Sequence, residues 1–249
     1  MKVFFKEDFY IEYTSDPAAE KGRMEAIVET IKPHVDFLPI EPAQELDIAA
    51  VHTSKHIEYV SKEGLYQISA LAAGASIQAA HLGLKEPCFA LVRPPGNHAS
   101  ADSSWGFCYF NNMAIAITNL KNLKLIKKAY VLDFDLHYGY GTVNILGNDN
   151  NIRIYNPEAN SRVVYMENVK KELEQFNADI IGVSAGFDNH VKDWGGMLTT
   201  QDYYEIGLMV KNASLRCKAG CFGILEGGYE HSVLGSNVLA FLNGLSSMS

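Results

Sequence analysis

Long apolar runs are missing from this chain: no window approaches the ~18 consecutive apolar residues of a membrane helix, so no membrane span is expected. The start, Met1 to Asp8, lacks the apolar stretch and small-residue cleavage site of a secretory leader, and a cytoplasmic protein is expected. Cysteine is scarce. Cys88, Cys108, Cys217 and Cys221 are too few and too irregularly placed for a disulfide framework. Cys217 and Cys221 make a Cys-x-x-x-Cys run that could be half of a metal site, but no second Cys/His cluster accompanies them, and they read as small residues at a strand entry. Basic runs stop at Lys127-Lys128 and Lys170-Lys171 while the formal net charge is −8, so nucleic acid is not an expected partner. That balance would suit a cationic ligand, yet it is equally an ordinary solubility charge. Repeats, low-complexity segments and Pro/Gly-rich linkers are also absent, and a single domain over residues 1–249 is expected.

What is present is an alternation of short β-rich runs with longer helical patterns. Strands are expected at 2–5, 88–92, 128–134, 152–155, 179–184 and 221–226. Helices are expected at 17–32, 53–61, 64–83, 109–120, 164–176, 200–216 and 232–245. Such βαβ alternation, with nearly continuous apolar runs at Ala129–Leu132 and Ile180–Val183, predicts an α/β fold: a three-layer α/β/α sandwich on a mostly parallel sheet.

Polar residues concentrate where four of these strands end, at Arg93–His98, Asp133–His137, Ala185–His190 and Glu226–Tyr229. Ligands of open α/β sheets bind just outside the carboxyl ends of the strands, so the four clusters describe one site. If extended geometry persists past the strand end, Asp133, Asp135 and His137 point the same way. Two carboxylates buried together are costly without a cation, and a carboxylate beside an imidazole is a zinc or transition-metal ligand set. An isolated Asp-x-His is more often a hydrogen-bonded pair on a solvated loop; its place at the ligand-binding edge reverses that preference. Asp188 is the best third ligand, with His190 a competitor that reads as a surface histidine on a helix-entry loop. The set favours Zn²⁺ and would also accept Fe²⁺, Co²⁺ or Mn²⁺. His98, after the stiff Arg-Pro-Pro-Gly turn, is the natural general base, and the Tyr229 phenol could donate to a carbonyl oxygen opposite the metal.

Taken together, the runs Arg93–Ala99, Gly106–Asn112, Asp133–Gly141, Ser184–Asp188 and Leu225–Tyr229 resemble those of the histone deacetylase and acetylpolyamine amidohydrolase superfamily, in that family's order. The resemblance implies an arginase/deacetylase-like fold, a metal held by Asp135, His137 and Asp188, His98 as base, and Tyr229 polarising the substrate carbonyl. It also implies that Phe107 lines an apolar tunnel with Gly106 and Gly228 at its wall. Asp133 is implied as support for the metal ligands and a structural monovalent cation.

The chain departs from that pattern in two places. Asn97 stands where the family carries the first of two tandem histidines, so it can donate a hydrogen bond but supplies no imidazolium charge. Tyr140 stands where a carboxylate would orient the base histidine, which makes a weaker base. The stretch between Tyr155 and the helix near 164 is also short, leaving an open mouth or one completed by another subunit of a homo-oligomer. The expected activity is removal of an acetyl or other acyl group from a small acylated amine, such as a polyamine, or from an acetyl-lysine side chain. Two other functions compete: a deacetylase-like metal- or ligand-binding module with weak or lost activity, and a two-metal ureohydrolase, for which bridging carboxylates are lacking.

Overall fold

The computed structural model describes residues 1–247. Its strands are β1 (Lys2–Phe4), β2 (Asp36–Leu38), β3 (Cys88–Ala90), β4 (Ala129–Asp133), β5 (Ile152–Tyr155), β6 (Ile180–Ala185) and β7 (Gly220–Leu225). They form one seven-stranded sheet in the order β2-β1-β3-β7-β6-β4-β5, and every adjacent pair is parallel. β4 and β6 are buried along their whole length, as apolar runs must be when helices cover both faces. The three-layer expectation therefore holds.

The helices are α1 (Arg23–Ile31), α2 (Glu45–Ala49), α3 (Ser54–Lys62), α4 (Tyr66–Gly83), α5 (Asn112–Asn122), α6 (Tyr140–Leu146), α7 (Arg162–Gln175), α8 (Thr200–Cys217) and α9 (His231–Leu245). α4 packs on α5 and against β1, β3 and β7, while α8 and α9 pair on the other layer, joined by α1 and α7. Glycine lets α8 and α9 approach closely. A Cβ on Gly207 would lie against the Phe241 carbonyl, and one on Gly244 would collide with that of Tyr204. None of the helices described is long and apolar enough to cross a membrane.

Three elements go beyond the sequence expectation: β2, α2 and α6 are too short to show a periodic signal. The helix expected at 17–32 is broken. Pro17–Ala19 makes a 3₁₀ turn capped by Asp16, and α1 starts only after Gly22, whose φ of +90° ends any continuous helix. The helix expected from 109 begins at Asn112 because the Asn111 side chain accepts the Ala114 N–H (2.8 Å) as an N-cap.

The sheet order matters for function. β3, β7, β6 and β4 are consecutive neighbours, so the four polar clusters at their carboxyl ends lie side by side. The loop after β3 is further tied down by His52, which is 3% exposed. Its Nδ1 lies 3.0 Å from the Ser100 carbonyl and its Nε2 accepts the Asn111 N–H at 2.9 Å, which fixes a neutral tautomer. Burial, reinforced by neighbouring His56, lowers its pKa to about 4.

The sign of the resulting pH dependence is fixed. Between pH 6.5 and 4 the unfolded chain takes up a proton that folded His52 refuses, so this contribution is complete above pH 6.5 and falls away on acidification. The loss by pH 4 is on the order of 3 kcal/mol. Urea titrations across this range should show a shallower pH slope for His52→Gln than for the parent, and parallel slopes would refute the assignment.

Candidate active site

Four loops contribute, and each is held by backbone donors. After β4, Asp133 accepts the Asp135 N–H (3.2 Å) and long contacts of 3.3 and 3.4 Å from Asn97 Nδ2. Asp135 Oδ1 accepts the His137 N–H (3.0 Å), and its Oδ2 accepts the Gly227 N–H (2.9 Å) from the loop after β7. Asp188, after β6, accepts the Leu136 N–H through Oδ1 (3.1 Å). Its Oδ2 is buried and has no hydrogen-bond partner. Phe134, between the two aspartates, points the other way into an aromatic cluster with Phe187, Tyr203 and Phe241, so the alternation expected beyond β4 does separate acid from core.

The donors converge on a small region. His137 Nδ1 lies 3.6 Å from Asp188 Oδ2 and 3.8 Å from Asp135 Oδ1, and His98 Nε2 lies 3.9 Å from Asp135 Oδ1. One donor atom each from His98, Asp135 and His137 falls within a mutual 4.8 Å. The structure thus brings together His98, Asp135, His137 and Asp188, four of the expected residues.

Electrostatics shows what this region lacks. Asp133, Asp135, Asp188 and Glu226 are all buried, and the two fully buried guanidiniums nearby, Arg23 and Arg93, hydrogen-bond to none of these carboxyls, although Arg23 favours the charged form of Glu226 slightly. Arg23 donates to the carbonyls of Glu226 (2.6 Å) and Gly228 (2.8 Å), and Arg93 to those of Glu20 (2.9 Å) and Ile11 (3.0 Å). Burial first, then Asp188, pushes the Asp135 carboxyl well above the usual range; burial, then Asp135, does the same to Asp133. The nearby Asp188 carboxyl raises His137, whereas burial, with His137 adding repulsion, lowers His98 to about 4. Buried carboxylates without fixed counter-charge, one of them with an orphaned oxygen facing an imidazole, fit a divalent cation.

Above this floor is a cavity of about 230 Å³ lined by His98, Trp105, Gly106, Phe107, His137, Trp194 and Tyr229. Gly106 and Phe107 both take left-handed backbone (φ +59° and +66°), a conformation costly for phenylalanine, and the Phe107 ring meets the edge of Tyr229 at 6.0 Å. Gly228 (φ +118°) turns the chain so that Tyr229 reaches the wall. Burial first, then Asp135 and Asp188, raises the Tyr229 phenol well above its ordinary value, keeping it a proton donor. Glu226 accepts the Gly96 N–H (2.7 Å) and fixes the turn that carries His98; burial pushes its carboxyl up to about 7.

Two sequence expectations are corrected. Tyr140 does not stand behind His98: it opens α6, is 61% exposed and rests against Tyr138, because helix geometry turns it outward. His190 is not a surface histidine. It is buried beside Thr200 and Tyr203, and its Nδ1 accepts the Lys192 N–H (3.2 Å). Neither Cys217 nor Cys221 belongs to the metal-ligating group found among the described residues.

Sequence reasoning missed Asp193 and Trp194, which follow Asp188 and His190 on the loop between β6 and α8. Asp193 Oδ2 accepts the N–H groups of Tyr229 (2.7 Å) and Glu230 (2.8 Å), and Trp194 stacks on Tyr229 at 4.1 Å. Trp105 stacks on His98 at 4.2 Å. Their only sequence signal was the rarity of tryptophan.

Comparison with known proteins gives a consistent result. A family model described as the histone deacetylase domain matches residues 18–161 and 155–245. A "Probable deacetylase" of Methanothermobacter thermautotrophicus is 29% identical, over 90% of this chain and 84% of its own. "Histone deacetylase 10, chloroplastic" of Oryza sativa is 31% identical over 82% of this chain and 61% of its own, and a "Histone deacetylase-like amidohydrolase" of Pseudomonas aeruginosa is 26% identical over 83% and 70%. The crystal structure of the HDA15 HD domain superposes with a TM-score of 0.82 at 23% identity, covering 100% of this chain and 90% of that one, a likeness of fold.

If the acid cluster takes a divalent cation, adding Zn²⁺ at about 100 times its Kd should stabilise the metal-stripped protein by about 2.7 kcal/mol. Asp188→Asn should abolish most of that gain in thermal melts, and an unchanged gain would remove Asp188 from the site.

Proposed function

The chain belongs to the histone deacetylase family, and from that premise we propose that it is a metal-dependent amidohydrolase that removes an acyl group, most simply acetyl, from an amine. The observation that carries this reading is the unneutralised acid floor, Asp135 and Asp188 with His137, beneath an aromatic cavity that presents His98 and Tyr229. We assign Asp135, His137 and Asp188 to hold the metal, because the orphaned Asp188 Oδ2 lacks any other partner, and this leaves His98 free for proton transfer. A divalent metal held there would act as a Lewis acid on the acyl carbonyl and make water easier to deprotonate.

The chain's own residues account for the remaining steps. Burial keeps His98 neutral at pH 7, the state that accepts a proton from the attacking water and later passes it to the amine nitrogen as the C–N bond breaks. Tyr229, held protonated, donates to the carbonyl oxygen as charge develops on it. Phe107 and its aromatic neighbours give an unbranched methylene chain an apolar lining, as found in an acetylated polyamine or an acetyl-lysine side chain. The products are acetate and the free amine.

A second reading has two observations in its favour. His98 Nδ1 is buried without a well-formed hydrogen bond and Tyr140 lies in solvent, so a metal-binding protein with weak or no turnover is the alternative. Acetate release from acetyl-lysine and N-acetylpolyamine substrates, with and without added Zn²⁺, separates the two. Metal-dependent release should fall about 10²–10⁴-fold in His98→Ala and about 10²–10³-fold in Tyr229→Phe. No release from either substrate class by the metal-loaded parent would leave only the binding module standing.

A further inference from the structure

An imidazole that exchanges protons needs a fixed ring orientation, ordinarily set by a hydrogen bond at the nitrogen remote from the reaction. His98 has no side-chain anchor of that kind, only a loose approach to the Tyr138 backbone carbonyl. Its Nδ1 is buried without a well-formed partner, Asn97 turns its amide to Asp133, and Tyr140 is 61% exposed. What meets the ring is packing. The Trp105 indole stacks on it with centroids 4.2 Å apart and planes at 28°. The backbone of Gly106 lies so close that a Cβ there would come within 2.5 Å of His98 Cδ2.

The segment carrying these groups is shaped for that contact. Ser100 N–H donates to the Ser103 carbonyl (2.8 Å) and Cys108 N–H to that of Trp105 (3.1 Å), so the chain folds back on itself. The left-handed pair Gly106-Phe107 then sets the indole over the imidazole. Trp105 remains 51% exposed, so burial in the core does not explain its position. Among the described residues, the aromatic ring on which this half-exposed indole stacks is the His98 imidazole.

We propose that Trp105 is a positioning residue: its stacking on His98, against the Gly106 backbone, holds Nε2 toward the acid floor in place of a side-chain hydrogen bond at Nδ1. This rests on the reading of His98 as the proton-transfer group. The stack restricts ring rotation without adding charge, so its loss acts on the chemical step more than on substrate binding.

Two readouts test it. In kinetics with Zn²⁺ and an acetyl-lysine substrate, Trp105→Ala should lower kcat about 10- to 100-fold with KM little changed, and Trp105→Phe, which keeps a ring face, should recover most of kcat. In NMR of the histidine-labelled protein, with His98→Gln to assign the signal, the His98 ring protons should be shifted upfield by the indole. That shift should vanish in Trp105→Ala and persist in Trp105→Phe. If Trp105→Ala fails to fold, Trp105→Leu, which fills the space without a ring face, provides the same comparison. A rise in KM at unchanged kcat, making the indole a substrate wall, or an unmoved His98 signal overturns the proposal. Should the parent turn over no acylated amine, the functional reading fails, and the NMR comparison alone decides whether Trp105 orients His98.

Discussion

The carboxyl edge of the sheet is organised around one imbalance: four buried acids share a small volume with two buried guanidiniums that bind only carbonyls. Charged hydrogen bonds contribute about 1.5–3 kcal/mol each, while the effective desolvation penalty of a buried ion is several kcal/mol, so one or two backbone N–H groups per carboxylate leave a deficit. The fold concentrates this deficit where β4, β6 and β7 end side by side. A cation would offset this deficit, and the aromatic cavity above the acids would restrict what else could reach them.

The guanidiniums serve a mechanical purpose instead. Arg23 ties the turn at Glu226–Gly228 to the start of α1, and Arg93 ties the loop after β3 to Ile11 and Glu20. Both also approach the Ala18 carbonyl, at 3.5 and 3.4 Å. One carbonyl in an irregular segment thereby links the loop bearing His98 to the loop bearing Tyr229. Chain segments about 200 residues apart in sequence are held in register by fixed, planar donors, which flexible side chains would do less well.

Much of this was legible in the sequence because strand ends are where polar residues interrupt apolar runs, and Asp133–His137, Asp188, His98 and Tyr229 all sit at such interruptions. The sheet order was not legible, since nothing local says that β7 inserts between β3 and β6. Tyr140 was misplaced because its motif position implied contact with His98, whereas the helix it starts directs it outward. Asp193 and Trp194 lie on a loop tied to a distant segment, with the Tyr229 N–H donating to Asp193 Oδ2 (2.7 Å), and residue spacing carries no record of this. His190 differs because its burial is decided by how α8, the next element, folds back so that Tyr203 stacks on it, which local spacing does not show.

The scarcity of tryptophan has an optical consequence. The chain holds two indoles, Trp105 and Trp194, and both line the one cavity above the acid floor. Excitation at the red edge of protein absorbance therefore selects emitters that sit at the mouth and nowhere else. Each lies against a polar ring of the site, an imidazole in one case and a phenol in the other. The native protein carries its own fluorescent reporter of the site, free of background from the rest of the fold.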